Sequence, residues 1–139
     1  MIRTLQAITH KNIPVVTAAA NLKRGAIVNK TVDNKVDNAS AAGFGFVDTT
    51  PNYDGINAVI MPADEDFEDI KKDALCLYIP VHSGERYATS ECADEGLSVG
   101  DKIGVGENGK FAKDDDGEFV YGGIYDDPTG IKMYIVEKL

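Results

Sequence analysis

Apolar and polar residues exchange places along this chain at short intervals, and no apolar run is long. Ala26 to Asn29, Gly45 to Asp48, Ala58 to Met61, Leu75 to Pro80, Lys102 to Val105, Phe119 to Tyr125 and Lys132 to Val136 each read as a short strand bounded by turn formers. The last of these continues into Glu137, is dense in β formers and is expected to pair inside a sheet. Turns are equally legible. Glu107-Asn108-Gly109-Lys110 sets Asn-Gly between Ile103-Gly104-Val105 and Phe111, a strong hairpin signal. Asp115-Asp116-Gly117-Glu118 and Asp127-Pro128-Thr129-Gly130 give two more reversals, and together they predict a meander.

One segment has helical spacing. Ala63 to Ile70 follows Pro62, places Phe67 and Ile70 three apart and puts its carboxylates where a helix N-terminus favours them. An acidic loop with a single helical turn is the alternative. Residues 1–20 read as an extended N-terminal arm, because Pro14 lacks an amide donor and Thr17-Ala18-Ala19-Ala20 offers no bulky anchor. Residues 21–139 then form the body.

A weak internal similarity joins Leu22-Lys23-Arg24-Gly25-Ala26-Ile27-Val28 to Leu97-Ser98-Val99-Gly100-Asp101-Lys102-Ile103. Ile70-Lys71-Lys72-Asp73-Ala74-Leu75 approaches it with Asp in the Gly place. Each predicts a turn feeding a strand, with a residue of positive φ just before the chain enters the sheet.

Composition agrees with the pattern. The chain has 12 Val and 12 Ile against 6 Leu, with 14 Gly, which favours strands. At 139 residues it suits one domain. The expected fold is all-β, a small barrel or a β-tulip or sandwich with the arm appended. A net charge of −9 repels polyphosphate, so nucleic acid is not an expected partner. No apolar run reaches the roughly 20 residues a membrane helix needs, and the first residues lack a secretion signal, so a soluble protein made in the cytoplasm is expected.

Charge is unevenly spread. Residues 1–30 hold Arg3, Lys11, Lys23, Arg24 and Lys30 with no carboxylate before Asp33, whereas residues 61–139 carry 8 basic and 19 acidic side chains. A basic arm lying on an acidic surface fits this, with Arg3, Lys11, Lys23 and Arg24 supplying charge and Ile13, Val15 and Val16 adding an edge strand to a neighbour. The acidic surface belongs either to a neighbouring subunit or to this chain's own body.

Candidate chemistry is sparse. Gly104-Val105-Gly106-Glu107-Asn108-Gly109 matches G-x-G-x-x-G by letter, but Lys110 to Gly117 cannot supply the helix that holds a pyrophosphate. Asp114-Asp115-Asp116-Gly117-Glu118 and Asp64-Glu65-Asp66 lack the spacing of an EF-hand and read as solvated loops. Cys76 and Cys92, with His10 and His82 far apart, do not cluster as a zinc site and read as reduced thiols and surface imidazoles. His82-Ser83 sets a base beside a hydroxyl, yet adjacent strand residues face opposite ways. Neither a catalytic residue nor a cofactor or metal is expected.

From Leu75 onward the chain runs Leu75-Cys76-Leu77-Tyr78-Ile79-Pro80, then Gly84-Glu85-Arg86-Tyr87-Ala88-Thr89, then Gly96-Leu97-Ser98-Val99-Gly100-Asp101-Lys102-Ile103, Gly109-Lys110-Phe111 and a final β-rich strand. Over residues 75–139 this order resembles the head decoration proteins of tailed bacteriophages. The resemblance implies a virion structural protein on the capsid exterior, non-enzymatic, without cofactors, forming a homo-oligomer such as a trimer and clamping neighbouring major capsid proteins. The alternative from another class is a small ligand- or carbohydrate-binding β module using Tyr53, Tyr78, Tyr87, Tyr121, Tyr125 and Tyr134 as stacking faces.

Overall fold

The computed structural model describes residues 1–8, 11–40, 44–49 and 68–139. Their strands are, in chain order, β1 (Ile2–Gln6), β2 (Val15–Ala18), β3 (Leu22–Lys23), β4 (Ile27–Lys30), β5 (Lys35–Asn38), β6 (Phe44–Thr49), β7 (Asp69–Ile70), β8 (Leu75–Pro80), β9 (Arg86–Thr89), β10 (Lys102–Val105), β11 (Phe111–Lys113), β12 (Phe119–Asp126) and β13 (Lys132–Lys138). The protein is all-β.

Five strands, in the order β2-β5-β4-β6-β8, close into a barrel. β2 runs parallel to β5, and the other pairings are antiparallel. Alternation decides what fills it. Val16, Val28, Val36, Val47, Cys76 and Tyr78 point inward, and Leu22 and Ile70 from the β3–β7 pair join them in one buried cluster. β-branched side chains fit the pleat of a narrow barrel, and each buried valine or leucine stabilises the fold by about 1.5–3 kcal/mol.

The second layer is a six-stranded antiparallel sheet in the order β1-β9-β13-β12-β10-β11. It packs on the outside of the barrel, where Ile27, Phe46 and Ile79 meet Tyr87, Phe111, Phe119 and Val136. Phe46 links the layers, with its ring 4.9 Å from Tyr87 and 6.0 Å from Phe111, and Phe111 stands edge-on to Phe119 at 4.8 Å. Such pairs add specificity of geometry to the area they bury.

Leu75 to Pro80 and Lys102 to Val105 are strands over the expected ranges, and the other described candidates differ at their ends by a few residues. Lys132 to Lys138 lies between β9 and β12, inside the sheet. Positive φ occurs where the internal similarity requires it, at Gly25 (90°), Asp73 (68°) and Gly100 (96°). The Ala58 to Met61 candidate and most of the helical candidate lie outside the described residues; the end of the latter, Asp69–Ile70, is strand rather than helix.

Two expectations are corrected. The last third is not a simple meander: β10–β11 and β12–β13 are hairpins, but β12 pairs with β10, leaving β11 at the far edge. The Asp115-Asp116 turn therefore carries the chain across β10, where Gly117 lies against the Ile103 carbonyl so closely that a side chain has no room. Nor do residues 1–20 form an arm apart from a body at 21–139. β1 extends the sheet beside β9, and β2 is a stave of the barrel between β5 and β8. Met1, Ile2, Val16 and Ala18 are buried, so this segment supplies core on both sides of the fold.

Candidate functional site

The sequence-predicted contact residues separate into two groups. Arg3, Lys11, Lys23 and Arg24 are all turned onto this chain's own acids. Arg3 Nε is 3.0 Å from Asp127 Oδ1, Lys11 Nζ is 2.5 Å from Glu85 Oε1, Arg24 Nε is 2.5 Å from Asp48 Oδ1, and Lys23 pairs with Asp69. The acidic surface on which these cations lie is the protein itself. Val16 is a core residue opposite Cys76. Of the three apolar residues among the seven, Ile13 and Val15 remain exposed, at 42% and 49%.

Those two belong to a larger apolar face. Val15 pairs with Leu77 and Thr17 with Leu75 across β2 and β8, and directly opposed residues on antiparallel strands share a face. The inward partners are Val16 and Cys76, so Val15, Thr17, Leu75 and Leu77 all point outward from the barrel. Leu75 is 63% exposed, and Leu77 is half-buried. Ile13 precedes Val15 by two positions on the same run. Lys35, opposite Thr17 on β5, and the Arg24–Asp48 pair opposite Leu77 on β6 edge the face with charge.

Residue order along β8 explains why this face exists. Leu75, Leu77 and Ile79 occupy its outward positions, and Ile79 is buried beneath the six-stranded sheet. The apolar row thus emerges from an internal interface and continues into solvent, where no described residue covers Leu75. Sequence reasoning placed Leu75 and Leu77 in a strand but missed their exposure. A signal was present: Leu75-Cys76-Leu77-Tyr78-Ile79 is apolar at both alternating sets, the mark of a strand covered on two sides. β2 has both edges paired within the barrel, so Val15 cannot add a strand to a neighbouring sheet, and what this face presents is side chains.

The remaining chemical candidates resolve into structural roles. The glycine-rich run forms a 3-10 turn at Glu107–Gly109 and leads into β11, with no helix after it. Asp114 accepts from the Asp116 amide and caps a turn. Ser83 donates to the Leu139 carbonyl, and the His82 amide donates to Glu85, within the β8–β9 turn. His10 and Tyr53 lie outside the described residues. Cys76 and Cys92 are buried free thiols, and burial pushes both up to about 11, away from thiolate chemistry. Tyr78, Tyr87, Tyr121 and Tyr134 are core residues and present no stacking face to solvent. Among the described residues, no group of three or more His, Cys, Asp and Glu side chains is arranged to hold a metal.

One electrostatically perturbed group, Asp94, joins two parts of the fold. Tyr134 Oη and Lys132 Nζ both donate to Asp94, at 2.9 Å and 2.5 Å, which lowers the Asp94 pKa and ties the 90–97 loop to β13. No family model, curated protein or solved structure matches this chain.

Proposed function

We propose that this protein is a non-enzymatic capsid decoration protein of a tailed bacteriophage, made in the host cytoplasm and residing on the exterior of the head. In this reading it binds the outer surface of the major capsid protein, acts as a homo-oligomer such as a trimer and clamps neighbouring capsid subunits. The observation that carries it is the exposed apolar face of Ile13, Val15, Leu75 and Leu77 on a closed barrel. A rigid scaffold that displays contiguous apolar side chains suits protein docking, because little conformational entropy is lost on contact. The order of elements over residues 75–139 supports the virion assignment by resemblance, and the all-β body is compatible with it.

The test is binding of the purified protein to phage heads lacking their decoration, followed by co-sedimentation. Wild-type protein is expected to bind at micromolar concentration or better, and Leu75→Asp is expected to weaken binding by an order of magnitude or more, about 1.4 kcal/mol for each tenfold. Absence of wild-type binding to heads from every candidate host sinks the reading. Light scattering of the same samples reports whether the free protein is a trimer.

A further inference from the structure

The turn between β10 and β11 carries the chain's one Asn-Gly pair, Asn108–Gly109. In such a pair the glycine amide reaches the asparagine side chain with little obstruction, so unfolded Asn-Gly sequences lose ammonia spontaneously. The fold sets these two residues in opposite environments. Asn108 is exposed, at φ 55° and ψ 34°, while Gly109 is buried at φ 70°. That ψ puts the Gly109 nitrogen on the far side of the Cα–C bond from the Asn108 side chain, the arrangement least suited to attack.

Gly109 is seated where the sheet meets the barrel. A Cβ on it would lie 2.8 Å from Asn38 Oδ1 and 2.9 Å from both Ala26 Cβ and the Ile27 carbonyl oxygen. Two backbone hydrogen bonds close the turn, from Gly106 to the Lys110 carbonyl at 2.7 Å and from Lys110 to the Glu107 carbonyl at 3.1 Å. Swinging ψ of Asn108 into a reactive position would pull Gly109 from this seat and break both bonds.

We infer that Asn108 is a deamidation site gated by the seating of Gly109 on the barrel, shut while the turn is docked and reactive when it lifts. In the lifted turn the Gly109 nitrogen gives its proton to solvent base and attacks Asn108 Cγ. The bond from Cγ to the side-chain nitrogen breaks, ammonia leaves, and water opens the resulting succinimide at one of its two carbonyls. The product at position 108 is aspartyl or isoaspartyl. The isoaspartyl form inserts a methylene into the main chain, so Gly109 no longer fits its seat with the turn closed. The gate therefore works once in each molecule, and the product accumulates across the population with the time the β10–β11 turn spends open.

The experiment incubates the folded full chain at mildly alkaline pH beside a synthetic peptide of residues 103–113, and follows position 108 by peptide mapping with isoaspartate detection. The folded chain is expected to react at least about tenfold more slowly than the peptide, since reaction waits on local opening. Phe111→Leu, which removes ring contacts to Phe46 and Phe119 under the turn, is expected to speed reaction severalfold while circular dichroism stays native. Deamidation of the folded chain at the peptide's rate overturns the inference, as does a folded Phe111→Leu protein with an unchanged rate. If that variant does not fold, the ratio of wild-type protein to peptide decides alone.

Discussion

Lys11 Nζ stands 2.5 Å from Glu85 Oε1, with the two side chains 7% and 0% exposed. The ammonium also donates to the Pro80 carbonyl, and Glu85 accepts from the amides of His82 and Ile8. This pair fastens the linker between β1 and β2 to the turn between β8 and β9, joining the sheet to the barrel. Burial alone would raise the Glu85 pKa, but the hydrogen bonds from Lys11 and His82 outweigh it and hold the carboxyl below its ordinary value.

Removing one partner leaves a buried charge unpaired. Lys11→Met is expected to destabilise the protein by about 3–5 kcal/mol, whereas Lys11→Met combined with Glu85→Leu should recover most of that loss. Urea unfolding of the two variants and of wild type measures the cycle. A cost below about 1 kcal/mol for the single change would class the pair with solvated surface pairs.

Deleting residues 1–20 removes β1 from the sheet and β2 from the barrel, together with buried Met1, Ile2, Val16 and Ala18. The truncated chain is expected to lose cooperative unfolding and native near-ultraviolet circular dichroism. A truncated protein that melts within a few degrees of wild type would restore the independent arm.

The strands of the second half were legible because their alternation and turns act locally. Leu75 to Pro80 and the Asn108-Gly109 turn needed only neighbouring residues to be read. β2 was misread because its two buried members are Val16 and Ala18, and the small alanine registers weakly in any hydrophobic count. The charge asymmetry of the first 30 residues was seen correctly, but sequence could not say whose carboxylates answered it. Ion pairs such as Arg3–Asp127 span 124 positions, and register between distant strands decides them. The candidate face was half visible: Ile13 and Val15 were named, and Leu75 joined them only through the β2–β8 register.

Gly25 and Gly100 occupy matching places in the internal similarity, yet their surroundings differ. Both have positive φ, so alanine at either strains the backbone by about 1–3 kcal/mol. A Cβ at position 25 would also strike the Met1 carbonyl and come 2.8 Å from Thr89 Oγ1, while at position 100 nothing lies within 4 Å. Gly25→Ala is expected to lower Tm clearly more than Gly100→Ala, as differential scanning fluorimetry would show. Equal shifts would mean that the Met1 segment yields freely.

Acid stability should depend on Asp127. Hydrogen bonds from Arg3 and then the Thr129 hydroxyl hold its carboxyl at about 2, against an ordinary 3.8. A folded pKa below the unfolded one means that the unfolded chain takes up the proton first as pH falls. The contribution is complete above about pH 4 and is lost between there and about pH 2. Glu85, also lowered, acts in the same direction. Asp127→Asn should cost stability at pH 7 and flatten the decline of Tm across that window. An unchanged slope would show that Arg3 and Thr129 do not hold the carboxylate in solution.

The row Leu75, Leu77, Ile79 offers a graded test of what β8 is built to do. Ile79 is enclosed between the barrel and the six-stranded sheet, so Ile79→Ala removes packed methyl groups and leaves a cavity, at about 2–4 kcal/mol. Leu75 is 63% exposed, and Leu75→Ala should change stability by no more than about 0.5 kcal/mol. Half-buried Leu77 should fall between them. Binding should follow the opposite order, since Leu75 and Val15 offer the most area to a partner and Ile79 the least. Urea unfolding and head-binding measurements on the same three alanine variants separate the roles: a residue that serves the fold loses stability, and one that serves contact loses affinity with its Tm intact. If Leu75→Ala destabilises as much as Ile79→Ala, then Leu75 is covered within the protein's own fold and the exposed face is not the docking surface.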